Sequence, residues 1–184
     1  MVSRRLGLSA CAALLGACQP QPSASRAASG PVGADSLVLE RGACLGRCPV
    51  YRVLLTAAGD VRFYSGAPGD SGGAPKVVAA VAPPAVARLV RQADAAGFFA
   101  LPADIMRDRT LCPVVATDHP TVVLTIYRPT GAKAVADYLG CFTGRDSPAA
   151  ARTALPPLRA LQSAVDSVVG TGTRWTPPRD RGAP

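Results

Sequence analysis

The stretch Val50-Tyr51-Arg52-Val53-Leu54-Leu55-Thr56-Ala57-Ala58-Gly59-Asp60-Val61-Arg62-Phe63-Tyr64 decides the fold. Tyr51, Val53 and Leu55 recur at every second position, the period of a strand half-buried on a sheet. Ala57-Ala58-Gly59-Asp60 is a turn and Val61 to Tyr64 alternates again, so the segment reads as a β-hairpin. Thr121 to Tyr127 and Ala132 to Leu139 flank Arg128-Pro129-Thr130-Gly131 in the same way and predict a second hairpin. Leu37 to Glu40 and Lys76 to Val81 read as further strands. Pro68 to Pro75, around Asp70, is dense in glycine and proline and reads as a loop.

Helical periods appear between and after the hairpins. Pro83-Pro84 opens a helix, because proline suits the first helical turn. Val86, Leu89, Val90 and Ala93 then fall at i, i+3, i+4 and i+7, a single apolar stripe, and Gly97 ends the helix as its C′ residue. Phe98, Phe99 and Leu101 follow as core. Ser147-Pro148 reads as an N-cap and N1 pair. Pro156-Pro157 interrupts the segment after it, and a last helix runs to about Val169, with Leu158, Leu161, Val165 and Val168 on one face and Gly170 at its end. Strands, helix, hairpin and helix in that order favour α+β over α/β. The expectation is a single domain over residues 35–170, an antiparallel sheet of about five strands with two main helices packed on one side. A domain of that size buries roughly two-thirds of its unfolded surface, enough for one core.

The flanks read differently. Arg4 and Arg5 precede the apolar run Leu6 to Leu15, in the order of a signal peptide, and the run is too short to span a bilayer. Leu15-Gly16-Ala17-Cys18 resembles the lipobox read by the lipoprotein signal peptidase. That resemblance implies a signal peptide over residues 1–17 and acylation of Cys18, anchoring the chain to a membrane in the cell envelope. Gln19, where an Asp would favour inner-membrane retention, points to the periplasmic face of the outer membrane. Residues 18–34 are rich in Ser, Ala, Pro and Gly and read as a flexible tether. Residues 171–184, with Trp175 their one large apolar group, read as a disordered tail.

Charge says little about partners. The chain of 184 residues carries a formal +8, but residues 35–170 hold 14 Lys and Arg against 11 Asp and Glu. The excess sits in the flanks, with mild attraction to anionic lipid head groups as its largest expected effect. Without a basic run or an aromatic ladder, nucleic acid is not an expected partner.

Six cysteines are present. With Cys11 in the signal peptide and Cys18 on lipid, Cys44, Cys48, Cys112 and Cys141 remain, an even number in an exported chain, which implies disulfides. The second hairpin sets Thr121 beside Leu139, and Cys112 can fold back to Cys141. The favoured pairing is therefore Cys112–Cys141 with Cys44–Cys48, worth roughly 3.6 and 2 kcal/mol by loop entropy. Four cysteines allow three pairings, and the alternative crosses the two segments, for example Cys44–Cys141 with Cys48–Cys112.

The segment Cys44-Leu45-Gly46-Arg47-Cys48-Pro49-Val50-Tyr51 carries the pattern C-x-G-x-C-P-x-Y. It resembles a domain-of-unknown-function family found in bacterial lipoproteins and other exported proteins. Gly59 to Gly66, the helix ending in Gly97-Phe98-Phe99, Thr117-Asp118-His119-Pro120-Thr121 and Ala134 to Tyr138 agree with the same family. The resemblance covers about Ser36 to Val169 and implies no particular activity.

Physically, Gly46 lets the chain turn between the two cysteines, Pro49 fixes the exit into the strand, and Tyr51 starts its buried face. The motif reads as a stapled strand entry. A thiol-redox pair at Cys44 and Cys48 is the alternative, although the spacing departs from C-x-x-C. A copper site of Cys44, Cys48 and His119 is another, because paired cysteines spaced by three with a distant histidine resemble exported copper chaperones. Asp118 is expected to cap a turn before Pro120. No G-x-S-x-G or H-E-x-x-H occurs, and Ser71-Gly72-Gly73 lacks a phosphate-loop lysine. The reading is a lipid-anchored envelope module without cofactor, more binding or scaffolding than enzyme. An envelope protein, peptidoglycan or a small ligand is the expected partner.

Overall fold

The computed structural model describes residues 35–65 and 76–171. The expected signal peptide, Cys18, the tether, the loop Pro68 to Pro75, Trp175 and all but the first residue of the tail lie outside the described residues. No helix among the described residues is long and apolar enough to cross a membrane.

Six strands form one antiparallel sheet: β1 (Ser36–Arg41), β2 (Tyr51–Leu55), β3 (Asp60–Ser65), β4 (Lys76–Ala80), β5 (Thr121–Arg128) and β6 (Gly131–Tyr138). Their order is β4-β3-β2-β1-β5-β6. Both predicted hairpins are present, and the sheet has one strand more than expected. The first strand in sequence is central: Leu37 lies between Leu55 and Ile126, and Leu39 between Val53 and Leu124. These rows continue through Val61, Phe63 and Val135, so one face of the sheet is continuously apolar and buried.

Two helices cover that face, α1 (Pro83–Ala95) and α2 (Ala149–Val169). The predicted stripe of α1 is buried, and Gly97 follows it with φ of 66°, a conformation that costs glycine little. In α2 the buried stripe is Leu155, Leu158, Leu161, Val165 and Val169. This architecture is the α+β single domain that the strand and helix order predicts. Among the described residues the six strands and the two helices share one hydrophobic core.

Two local expectations about α2 fail. Pro156 and Pro157 do not interrupt it; the helix runs unbroken from Ala149 to Val169. Each interior proline removes a hydrogen bond at a cost of about 3 kcal/mol. Both prolines are exposed, as are Arg152 and Thr153, whose carbonyls lose their helical donors and face water instead. Leu155 and Leu158, on either side, are fully buried against the sheet, and that packing overrides the propensity. Ser147 does not cap the helix either: Pro148 holds the cap position, and the Ser147 hydroxyl accepts from the Gly144 N–H at 2.9 Å.

The outer edge of β6 is covered. Ala136 N–H donates to the Ala103 carbonyl at 2.8 Å, Asp104 bridges to Ala136 in parallel, and Lys133 Nζ donates to the Leu101 carbonyl. Edge coverage of this kind blocks pairing with another chain. At the β2–β3 turn Gly59 has φ of 93°, and a Cβ there would collide with the Val81 carbonyl oxygen.

Candidate functional site

The end of the sheet where β1 stops, β2 starts, β5 starts and β6 stops gathers three connecting loops into one rim. Gly42 N–H donates to the Thr121 carbonyl at 2.9 Å, and Leu45 N–H to the Asp118 carbonyl at 3.2 Å. His119 N–H donates to the Tyr138 hydroxyl at 3.2 Å, and Ala116 N–H to the Gly140 carbonyl at 2.9 Å. Val115 bridges antiparallel to Cys141. Gly140 is confined from both sides, since a Cβ there would collide with the Ala116 carbonyl and the Tyr138 ring.

Both disulfides brace this rim, in the favoured pairing. Cys112 and Cys141 are joined with Cα atoms 5.0 Å apart and are fully buried. Cys44 and Cys48 are joined with Cα atoms 5.7 Å apart and are partly exposed. Gly46 between them has φ of 133°, a value that L side chains avoid. The approach to Cys112 is fixed by Asp108, whose carbonyl accepts from the Cys112 N–H at 2.7 Å. Hydrogen bonds from the Thr110 hydroxyl and N–H hold the Asp108 carboxyl below its ordinary pKa.

Beneath the rim lies a polar row that the sequence reading did not single out. Register places Tyr51, Arg41, Val122 and Asp137 side by side across β2, β1, β5 and β6. The C-terminal half of α2 answers both ends. Asp166 accepts from Arg41 Nε at 2.9 Å, from the Tyr51 hydroxyl at 2.5 Å and from the Thr171 hydroxyl at 3.1 Å. Arg159 donates to both oxygens of Asp137 at 3.0 and 3.1 Å and to the Cys141 carbonyl at 2.8 Å, while Gln162 donates to Asp137 at 3.3 Å. Seven residues of helix advance about 10.5 Å. Two strand spacings are about 9.6 Å, so one straight helix reaches both partners.

Burial pushes the Tyr51 phenol well above its ordinary pKa, and the Asp166 charge pushes it further, so Tyr51 is a neutral donor here. Burial acts against the Arg41 charge, but Asp166 and Tyr51 outweigh it and raise its pKa. Tyr51, read from sequence as the start of a buried face, is therefore also one jaw of a clamp on α2. The signal for the clamp was present as Arg159, Gln162 and Asp166, polar residues at i, i+3 and i+7 beside an apolar stripe.

The remaining predicted residues fall on the rim. Pro49 is exposed beside Cys48. Asp118 has φ of 72°, uncommon for a residue other than glycine. Its carboxylate accepts from the Thr117 hydroxyl at 3.1 Å, and its carbonyl holds Leu45. The His119 ring meets Phe142 edge-on at 5.1 Å. Among the described residues no three His, Cys, Asp or Glu side chains gather as a metal ion would require. Around these residues stand exposed apolar side chains: Leu45, 80% accessible, with Val114, Val115 and Phe142.

A shallow cleft of about 380 Å³ lies at the opposite end, lined by Asp35, Ala57, Pro83, Pro84, Val86 and Ala87. Among the described residues its lining offers one charged side chain and no second polar side chain to act with it.

Comparison with curated proteins found no match. The family model described as Domain of unknown function (DUF6438) matches residues 35–162, which takes in the six strands, both disulfides and most of α2. The chain belongs to the DUF6438 family.

Proposed function

We propose that this is a lipid-anchored domain of the cell envelope that binds another envelope protein through the cysteine-braced rim. One observation carries the reading. Among the described residues five large hydrophobic side chains are exposed, Leu45, Met106, Val114, Val115 and Phe142, and four of them stand on this rim. Clustered exposed apolar side chains mark interaction sites, whereas single ones need no explanation. The rim is pre-organised by two disulfides, which lowers the ordering cost of association. Apolar tips suit an apolar protein surface better than the sugars of peptidoglycan. The anchor is supported by the order of Arg4-Arg5, the apolar run and Leu15-Gly16-Ala17-Cys18.

Two experiments test the two halves separately. A photo-reactive amino acid at Leu45 or Phe142 of the full chain, in cells that produce it, is expected to yield a discrete crosslinked protein. The same probe at exposed Ala87 is expected to yield none. Equal products from both sites, or none from the rim, would overturn the binding face. Labelled palmitate is expected to enter the wild-type chain and be lost in Cys18→Ala; a wild type without label would overturn the anchor.

A further inference from the structure

We infer that Cys44–Cys48 is a thiol–disulfide exchange site, opened by a dithiol reductant while Cys112–Cys141 stays closed, and that its opening loosens the end of α2. The inference does not depend on the lipid anchor or on the binding partner.

Access separates the two bonds. Exchange requires a thiolate to reach a disulfide sulfur, so a buried bond reacts only after local unfolding. Cys112 and Cys141 are fully buried within the apolar core, next to Leu111. Cys44 and Cys48 are partly exposed, and the three residues between them, Leu45, Gly46 and Arg47, are fully on the surface side. Charge acts in the same direction. Arg47 is the one charged residue from Gly42 to Val50 and directly precedes Cys48. A neighbouring guanidinium stabilises a thiolate, attacking or leaving. The reaction balances with a dithiol as co-reactant. Its thiolate attacks one sulfur, forms a mixed disulfide and expels the other as a thiolate. Its second thiol then displaces the remaining cysteine. Cys44 and Cys48 gain two electrons and two protons together, and the dithiol becomes a disulfide.

The consequence follows from position. Arg41 precedes Cys44 by three residues and Tyr51 follows Cys48 by three. Arg41 and Tyr51 are register partners, and both hold Asp166. The bond shortens the connection between the two jaws. Opening it leaves the ladders with β5 and β3, at the very ends of β1 and β2, to hold Arg41 and Tyr51 in line, and the restraint on the last turn of α2, with Gly170 and Thr171, weakens.

The test uses the full mature chain, purified oxidised and titrated with dithiothreitol. Differential alkylation with mass spectrometry follows each cysteine, and amide hydrogen exchange follows Val168 to Thr171. Cys44 and Cys48 are expected to open at least about tenfold faster than the other pair, with exchange at Val168 to Thr171 rising in that half-reduced form. Simultaneous opening of both bonds, earlier opening of Cys112–Cys141, or resistance of Cys44–Cys48 until the chain unfolds would overturn the exchange site. Unchanged hydrogen exchange after its opening would overturn the coupling. Arg47→Glu, at an exposed position outside the core, keeps the fold and is expected to slow the anionic thiol glutathione severalfold at low salt. An unchanged rate in that variant would remove Arg47 from the site.

Discussion

Cys112–Cys141 and Cys44–Cys48 are the same bond used in two environments. The first joins positions 29 apart in sequence, is fully buried, and ties the segment after α1 to the end of β6. The second joins positions four apart, is partly exposed, and closes the connection between two adjacent strands. On the chain-entropy model the long loop stabilises by about 3.6 kcal/mol and the short one by about 2 kcal/mol. The contrast separates a bond that the core depends on from one that shapes a surface.

The largest expected effect tests that contrast from the buried side. Replacing Cys112 and Cys141 together by Ala should cost about 3.6 kcal/mol by loop entropy, with a further loss from the space left in the core. Guanidinium unfolding reads it as a drop in midpoint. A loss no greater than that of the Cys44→Ser, Cys48→Ser double variant would break the comparison. Arg159→Met leaves the fully buried Asp137 carboxylate without its main partner. Fully buried pairs broken in this way lose 3–5 kcal/mol; Arg159 is partly exposed, so about 2–3 kcal/mol is expected in the same assay. The Cys44→Ser, Cys48→Ser double variant should lose about 2 kcal/mol and remain folded, by circular dichroism and by an intact Cys112–Cys141 bond.

The smallest effect sharpens the comparison through pH. The folded Tyr51 phenol holds its proton to higher pH than the unfolded one, which ionises at about 10. The unfolded chain therefore releases this proton first. The stability that Tyr51 contributes is complete below that pH and is lost as pH rises above it. Tyr51→Phe should cost about 1 kcal/mol at neutral pH and flatten the alkaline decline, measured by urea unfolding from pH 8 to about 11. An equally steep decline in the variant would assign it to another group.

Most of the fold was legible because its elements announce themselves locally. Alternation over Tyr51 to Leu55 and Thr121 to Tyr127, the stripe of α1, and Gly97 and Gly170 as helix ends all correspond to observed elements. The central place of β1 was not legible, since six residues of strand carry no mark of which strands will flank them. The continuity of α2 was hidden because Pro156-Pro157 is a local signal and its override, burial of Leu155 and Leu158 on the sheet, is not. At the site, cysteine pairing followed from hairpin geometry. The clamp did not, because Arg41 and Asp166 are 125 residues apart and meet only once the helix crosses the strands.

The polar row beneath α2 sets direction as well as position. The sheet offers Asp137 and then Arg41, minus and plus; the helix offers Arg159 and then Asp166, plus and minus. Laid down in reverse, the helix would set carboxylate on carboxylate and guanidinium on guanidinium. Slid by one turn, about 5.4 Å, it would offer Asp137 only Leu155 or Ser163, and Arg41 only Gln162 or Gly170. A greasy stripe alone tolerates such slips, because leucine packs on leucine in many alignments. Two opposite charges seven residues apart do not, and α2 therefore carries an address that is valid at one place on the sheet and in one orientation.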